Sequence, residues 1–120
     1  MSGEPKAKLI HGLEIHKSAD AGGMVLMQCK GNLIFETAPH LKETVKKLIP
    51  IEKRITLDLG GVTRMDSSGL GALVGLYVSA RKAGCELKLT NMSRPIRELL
   101  GVTNLLSIFE DVGRTGARLG

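Results

Sequence analysis

The sequence predicts one α/β domain built on a mixed β-sheet. Its length of 120 residues fits a single compact domain, and a composition of 42% hydrophobic and 24% charged residues allows a buried core. Segments in which apolar and polar residues alternate are interspersed with segments of helical spacing, which is the order found in α/β proteins. Because the chain has no Trp, one Tyr and two Phe, the core must consist of aliphatic side chains.

Polar residues dominate the N-terminus, and residues 1–8 are expected to form a flexible arm. Two extended runs follow at residues 13–16 and 24–30, separated by a cluster of turn-forming residues. Together these runs predict an antiparallel hairpin whose second strand ends at Gly31-Asn32.

Apolar residues spaced by three and four predict an amphipathic helix over residues 38–48. Thr37 can cap the start of this helix. Pro39 is acceptable in the first turn, where its missing N–H would have no helical partner. Pro50 closes the helix.

A short strand is predicted over residues 55–59, ended by Gly60-Gly61, and a loop over residues 62–66 leads into a second helix that stops at Gly84. Small residues lower the intrinsic helix propensity of this segment, so we expect tight packing against the sheet to compensate. These residues are Gly69, Gly71, Ala72 and Gly75.

The remaining pattern predicts a strand over residues 86–90, a helix over residues 94–100 and a last apolar strand over residues 105–109. The strands that follow the hairpin are joined through helices, so we expect them to be parallel.

The charge and the cysteine content limit the classes of function that the chain can have. The net charge of +5 is spread over both halves of the chain, which is more typical of a solubility feature or an acidic partner than of a nucleic-acid site. Aromatic residues are too few to stack bases, so no direct nucleic-acid binding is expected.

No apolar run has the length of a membrane helix, which predicts a cytoplasmic protein without membrane insertion. Cys29 and Cys85 are expected to be reduced and mostly buried, although a disulfide between them stays open.

Sequence signatures of enzymes are missing. The glycines form neither GxGxxG nor GxxxxGK[ST], no GxSxG is present, and the three histidines lack metal-ligand spacing. The chain is therefore predicted to be no enzyme and to hold neither a metal nor a cofactor. A small hydrolase that uses Ser67 is a weaker alternative.

The one concentrated signal is the sequence Asp66-Ser67-Ser68-Gly69 at a predicted loop-to-helix junction. Asp66 or Ser67 can cap the helix, and a helix N-terminus also tolerates an anion. A plain N-cap explains the residues. A phosphorylation site explains them as well, because a phosphate on an exposed serine would meet helix N–H groups.

Residues 55–73, which include this motif, closely resemble the STAS domain, the family of bacterial anti-sigma factor antagonists. The turn Lys30-Gly31-Asn32-Leu33 and the segments 87–91, 96–100 and 105–109 are also similar to that family. The resemblance implies a sheet with helices chiefly on one face. It assigns residues 9–112 to the domain and leaves residues 113–120 as a Gly- and Arg-containing tail.

The resemblance also implies a function without catalysis. An anti-sigma factor that is itself a serine kinase, and that binds the ATP, would phosphorylate Ser67, with Asp66 and Ser68 as supporting residues; a serine phosphatase would remove the phosphate. Ser68 and Thr63 are the alternative acceptors. The unmodified form would bind the anti-sigma factor and release a sigma factor, thereby regulating transcription. The implied partner-binding residues are Ile34, Phe35, Asp66, Ser67, Gly69 and Leu70.

Two departures from the family pattern concern the partner. Many members carry an acidic residue where this chain has Ile34 followed by Phe35, and Arg114 and Arg118 stand where the family has an acidic final helix. Part of the Ile34-Phe35 pair is expected in the core, while an exposed Phe35 would be an apolar anchor for the partner. The alternative function is a non-catalytic STAS subunit of a signalling complex or lipid-transport apparatus, in which Ser67 is only a cap. A monomer or weak dimer is expected.

Overall fold

The computed structural model describes residues 8–10, 12–19 and 22–102. Its elements follow the predicted order, with one additional strand at the start. They are β1 Lys8–Ile10, β2 Leu13–Ala19, β3 Met24–Leu33, α1 Ala38–Lys46, β4 Arg54–Met65, α2 Ser67–Ala83, β5 Glu86–Thr90 and α3 Arg94–Val102. The predicted strand at residues 105–109 and the tail at residues 113–120 lie outside the described residues.

The described strands form one five-stranded mixed sheet in the order β1-β2-β3-β4-β5. β1, β2 and β3 are antiparallel neighbours, whereas β3 pairs with β4, and β4 with β5, in parallel. This confirms the predicted α/β class and the mixed sheet. Within the described ranges, no helix is long and apolar enough to cross a lipid bilayer.

One face of the sheet carries the core. Two rows of fully or nearly fully buried side chains cross the parallel strands: Val25, Ile55 and Leu87, then Met27, Leu57 and Leu89. All three helices contribute to the same apolar cluster, through residues that include Leu41, Val45, Leu73, Leu76, Ile96 and Leu100. The helices therefore pack on this face, while the opposite face shows half-buried polar residues such as Gln28, Asp58 and Thr90.

The prediction that Gly60-Gly61 ends the fourth strand is wrong, and so is the predicted end of β3 at Gly31-Asn32. β4 runs through both glycines to Met65 with two register shifts against β3, which continues to Leu33. A Cβ on Gly61 would lie 2.6 Å from Lys30 Cγ. The glycines therefore let the strand bulge past the neighbouring side chain instead of stopping it. This longer β3-β4 pair carries both strands to the start of α2.

Helix α2 begins at Ser67 and ends at Gly84, whose φ of 77° is left-handed and whose N–H donates to the carbonyls of Ala80 and Arg81. This confirms the predicted C-terminal signal. The expected tight packing holds for Gly69, where an added Cβ would overlap the Leu33 carbonyl oxygen. It is wrong for Gly71 and Gly75, which face open space.

The two kinds of glycine in α2 predict opposite effects of alanine. Gly69→Ala should destabilise the protein by about 1–3 kcal/mol, because the methyl group has no room beside β3. Gly71→Ala and Gly75→Ala should each stabilise it by about 0.5–1 kcal/mol, because alanine is the better helix former and meets no neighbour. Urea unfolding of the three variants measures this, and a loss of stability in Gly75→Ala would contradict the open environment of that residue.

Candidate functional site at the N-terminus of α2

Asp66 is the N-cap of α2. Its backbone is extended, with φ −112° and ψ −172°, and its carboxylate turns back over the first turn of the helix. Oδ1 accepts the N–H groups of Ser68 at 2.9 Å and Gly69 at 3.0 Å, and the Asp66 carbonyl accepts the N–H of Leu70 at 3.0 Å. Of the two candidates that the sequence offered, Asp66 is thus the cap, which leaves the Ser67 side chain free of that role.

The same carboxylate holds a second segment of the chain. Asp66 Oδ2 accepts the N–H of Phe35 at 3.0 Å, and the Asp66 N–H donates to the carbonyl of Leu33 at 3.3 Å. These bonds fix the turn at residues 34–37, which joins β3 to α1, against the start of α2. Phe35 and Ser67 are therefore brought together although they lie far apart in the sequence.

Thr37 shapes this turn from inside. Its side chain is fully buried, and Oγ1 accepts the N–H of Ile34 at 2.8 Å while donating to the carbonyl of Asn32 at 2.8 Å. Thr37 occupies the N-cap position of α1 but makes no side-chain bond to that helix. Its predicted role as a side-chain cap is therefore wrong, because the hydroxyl is already committed to the turn before the helix. Pro39 lies in the first turn of α1, as predicted.

The predicted site residues differ in accessibility. Ser67 is exposed, and no residue in the described part of the chain hydrogen-bonds its hydroxyl. Phe35 is 70% exposed, whereas Ile34 is half-buried, so the placement of Phe35 in the core is ruled out. Ser68 is half-buried.

Gly69 and Leu70, which were predicted to bind the partner, face the interior. Gly69 is buried against β3, and Leu70 is 8% exposed and belongs to the core cluster. Both residues pack α2 against the rest of the fold and leave little surface for a partner. The sequence carried a signal for Gly69, because small residues of this helix were expected to pack tightly against the sheet.

The electrostatics of the site follow from its hydrogen bonds. The N–H of Gly69, together with those of Phe35 and Ser68, lowers the pKa of the Asp66 carboxyl despite an opposing effect of desolvation. Asp66 is therefore ionised at neutral pH. Since the first-turn N–H groups of Ser68, Gly69 and Leu70 already have acceptors, a phosphate on Ser67 would lie beside a carboxylate. Three of the N–H groups that were expected to hold the phosphate thus have acceptors in the unmodified chain, and their role toward a phosphate stays a prediction.

The cap should contribute to stability in a pH-dependent way. Asp66→Ala should lower the melting temperature at pH 7, while Asp66→Asn, which keeps one acceptor oxygen, should lower it less. A carboxyl whose folded-state pKa is depressed stabilises the fold above its unfolded pKa of about 3.9, and this stabilisation is lost as the pH falls through the folded-state value. The difference between wild type and Asp66→Ala should therefore shrink toward pH 2–3. Equal melting temperatures at pH 7 would show that the cap is dispensable.

The two cysteines lie in environments that disfavour the reactive thiolate. Cys29 and Cys85 are free and buried, as predicted, and desolvation with the nearby charge of Asp58 raises the pKa of Cys29 to about 12. Burial also raises the pKa of Cys85. His40 lies on α1 beside Thr44 Oγ1, 3.5 Å from its Nδ1, and not beside Ser67. No group of three or more potential metal ligands occurs within the described ranges.

Comparison with known proteins identifies the family. The family model of the STAS domain matches residues 15–118, and the chain belongs to this family. It is 35% identical over 83 residues to the anti-sigma-B factor antagonist of Bacillus subtilis, an alignment that covers 67% of this chain and 73% of that protein.

Solved structures share the fold. The Bacillus cell fate determinant SpoIIAA in its phosphorylated form superposes with a TM-score of 0.63 at 18% identity, covering 76% of this chain and 84% of that one. A sulfate transporter family protein from Wolinella succinogenes superposes with a TM-score of 0.67 at 23% identity, covering 79% and 78%. The same fold thus occurs both in SpoIIAA and in a protein of the sulfate transporter family.

Proposed function

We propose that this protein is a cytoplasmic anti-sigma factor antagonist controlled by phosphorylation of Ser67. In the unmodified form it binds an anti-sigma factor, which is also the serine kinase and binds the ATP, and a sigma factor is released. A serine phosphatase restores the unmodified form. The observation that carries the proposal is the exposed Ser67 hydroxyl, which has no partner in the described chain and directly follows the capping Asp66 of the family motif.

The relatives support this role. The Bacillus subtilis relative is named an anti-sigma-B factor antagonist, and SpoIIAA shows that the STAS fold exists in a phosphorylated form. A kinase needs access to the acceptor hydroxyl. Ser67 meets this requirement better than the half-buried Ser68, while Thr63 is exposed but donates to the carbonyl of Gly31 at 3.3 Å.

Charge would operate the switch. A phosphate adds about −1.5 to −2 charges. It would join the ionised Asp66 and the exposed Glu36, which follows Phe35 in the same turn. Burying this group against a partner without matching cations costs several kcal/mol, and about 4 kcal/mol corresponds to nearly a thousandfold loss of affinity. Because Ser67 is exposed, the fold itself would remain intact.

Phosphopeptide mapping tests the acceptor. The anti-sigma factor kinases of the source organism are purified and incubated one by one with ATP and this protein. Ser67→Ala should abolish the label, whereas Ser68→Ala and Thr63→Ala should keep it. Label that persists on Ser67→Ala would rule out the assignment.

The switch itself is read from a second pair of variants: Ser67→Asp should weaken binding to the kinase by about tenfold or more, and Ser67→Ala should bind like wild type. The free energy of unfolding of each variant should lie within about 0.5 kcal/mol of the wild-type value, as is usual for surface substitutions.

Phe35 is proposed as the apolar anchor of the partner. Its side chain is 70% exposed, while its backbone is fixed by Asp66, so the ring is presented at a defined position. Phe35→Ala should weaken binding by about 2 kcal/mol, roughly thirtyfold, and leave the melting temperature nearly unchanged.

Ile51→Ala is the matched control for Phe35→Ala, because Ile51 is 72% exposed but lies beyond the opposite end of α1. Isothermal titration with the same kinase separates the two. Equal, small effects of both substitutions would remove Phe35 from the partner surface.

A second candidate function is that of a non-catalytic STAS subunit in a larger assembly, favoured by the structural likeness to the sulfate transporter family protein. In that role Ser67 carries no label, and the protein copurifies with transport subunits rather than with a kinase. The labelling experiment therefore distinguishes the two functions.

A further inference from the structure

A groove runs between α1 and α2, beside Ser67 but distinct from it. Its volume is about 400 Å³, and it is lined by Phe35, Pro39, Lys42, Ser68, Gly71 and Ala72. The lining is largely apolar, and the exposed ring of Phe35 stands at the end nearest Ser67. Nothing in the described chain fills this space.

On α2 the groove is lined by Gly71, and Gly75 lies one helical turn beyond it on the same face of the helix. Gly71 and Gly75 are exposed and have no heavy atom within 4 Å of an added Cβ, and Val78, which continues the same row of the helix, is 44% exposed. Glycine weakens a helix interior relative to alanine, and the fold gains no packing from these two residues in return. Their absent side chains keep the groove open for close approach.

Charge along the groove is uneven. Glu36 and the ionised Asp66 lie at the end near Ser67. Lys42 lines the groove, and Lys46 follows it by one turn of α1. Lys82 lies on the same face of α2 as Gly75 and Val78, near the C-terminal end of the helix. The acidic residue of α1 is Glu43, which follows Lys42 in the sequence. The surface that continues from the groove along α1 and α2, away from Ser67, is therefore basic.

We infer that this groove receives an acidic amphipathic α-helix of the partner protein. Apolar side chains of that helix would contact Phe35 and the glycine backbone, and its carboxylates would face Lys42, Lys46 and Lys82, at the end away from Ser67. A helix suits the site because the axes of packed helices approach to about 8 Å only where the contacting residues are small. The identity of the partner as the anti-sigma factor rests on the proposed function, whereas the groove and its charges do not.

Photocrosslinking in the source cell tests the occupant without presuming its identity. The photoreactive amino acid p-benzoylphenylalanine is placed at Val78, and at Ile51 as a control, and cross-linked peptides are identified by mass spectrometry. The product specific to Val78 is expected to lie in an α-helix with net negative charge. If that helix belongs to an anti-sigma factor, the proposed function is supported too; if it belongs to another protein, the groove inference stands and the proposed function is judged by the labelling of Ser67. A basic or non-helical segment, or the same products from both positions, overturns the inference and leaves the labelling of Ser67 to judge the function.

Binding measurements with the partner identified by cross-linking test how much the groove contributes to affinity. Gly71→Leu, which places a bulky side chain in the groove, and the double substitution Lys42→Glu/Lys46→Glu should each weaken binding by about tenfold or more. Lys17→Glu, on the exposed part of β2, is the charge control and should bind like wild type. Melting curves verify that each variant is folded. Wild-type affinity of both groove variants would overturn the inference even where Ser67→Asp still abolishes binding.

Discussion

The geometry of the site depends on one carboxylate, that of Asp66. One oxygen caps the first turn of α2 and the other holds the N–H of Phe35, while the Asp66 backbone bonds to Leu33. Two segments that are distant in sequence, residues 33–35 and residues 66–70, are thereby joined by hydrogen bonds. Since all of these acceptor sites are used within the chain, Asp66 has a structural task that is independent of any partner, and the residue after it is left free to react.

The glycines of α2 fall into two groups, one packed against the sheet and one exposed on the surface. Gly69 exists because β3 passes directly under the first turn, so the approach of α2 to the sheet is set at its N-terminus. Gly71 and Gly75 have no such neighbour and lower the stability of an exposed helix face. Local sequence choices that oppose the fold without a packing reason are expected mainly at functional sites, which is consistent with a surface shaped for contact.

Much of the fold could be predicted because periodicity and end signals act locally. The helical spacing of α1, the left-handed Gly84 and the alternation of β5 each depend on neighbours within a few residues, and each is confirmed. The failures have different causes: one depends on contacts across the sheet, and the other on competing bonds within a turn. Gly60-Gly61 predicts the end of a strand, and only the pairing with β3 shows that β4 continues through it. Thr37 predicts a helix cap, but its hydroxyl is hydrogen-bonded within the turn that precedes the helix. The bond from Phe35 to Asp66 leaves no sequence signal, because nothing in either segment specifies the other.

The bonds that Asp66 accepts from the N–H groups of Ser68, Gly69 and Leu70 affect where the free-energy cost of a phosphate switch would arise. If the first-turn N–H groups were free, a phosphate on Ser67 would be stabilised in the free protein and could reshape the turn around Phe35. They are instead bonded to Asp66, so the phosphate would stay hydrated beside a carboxylate and gain little from the fold. The penalty then arises in the complex, where that charge must lose its water at an end of the surface that is already acidic. A switch of this kind changes affinity without changing the shape of the protein that carries it.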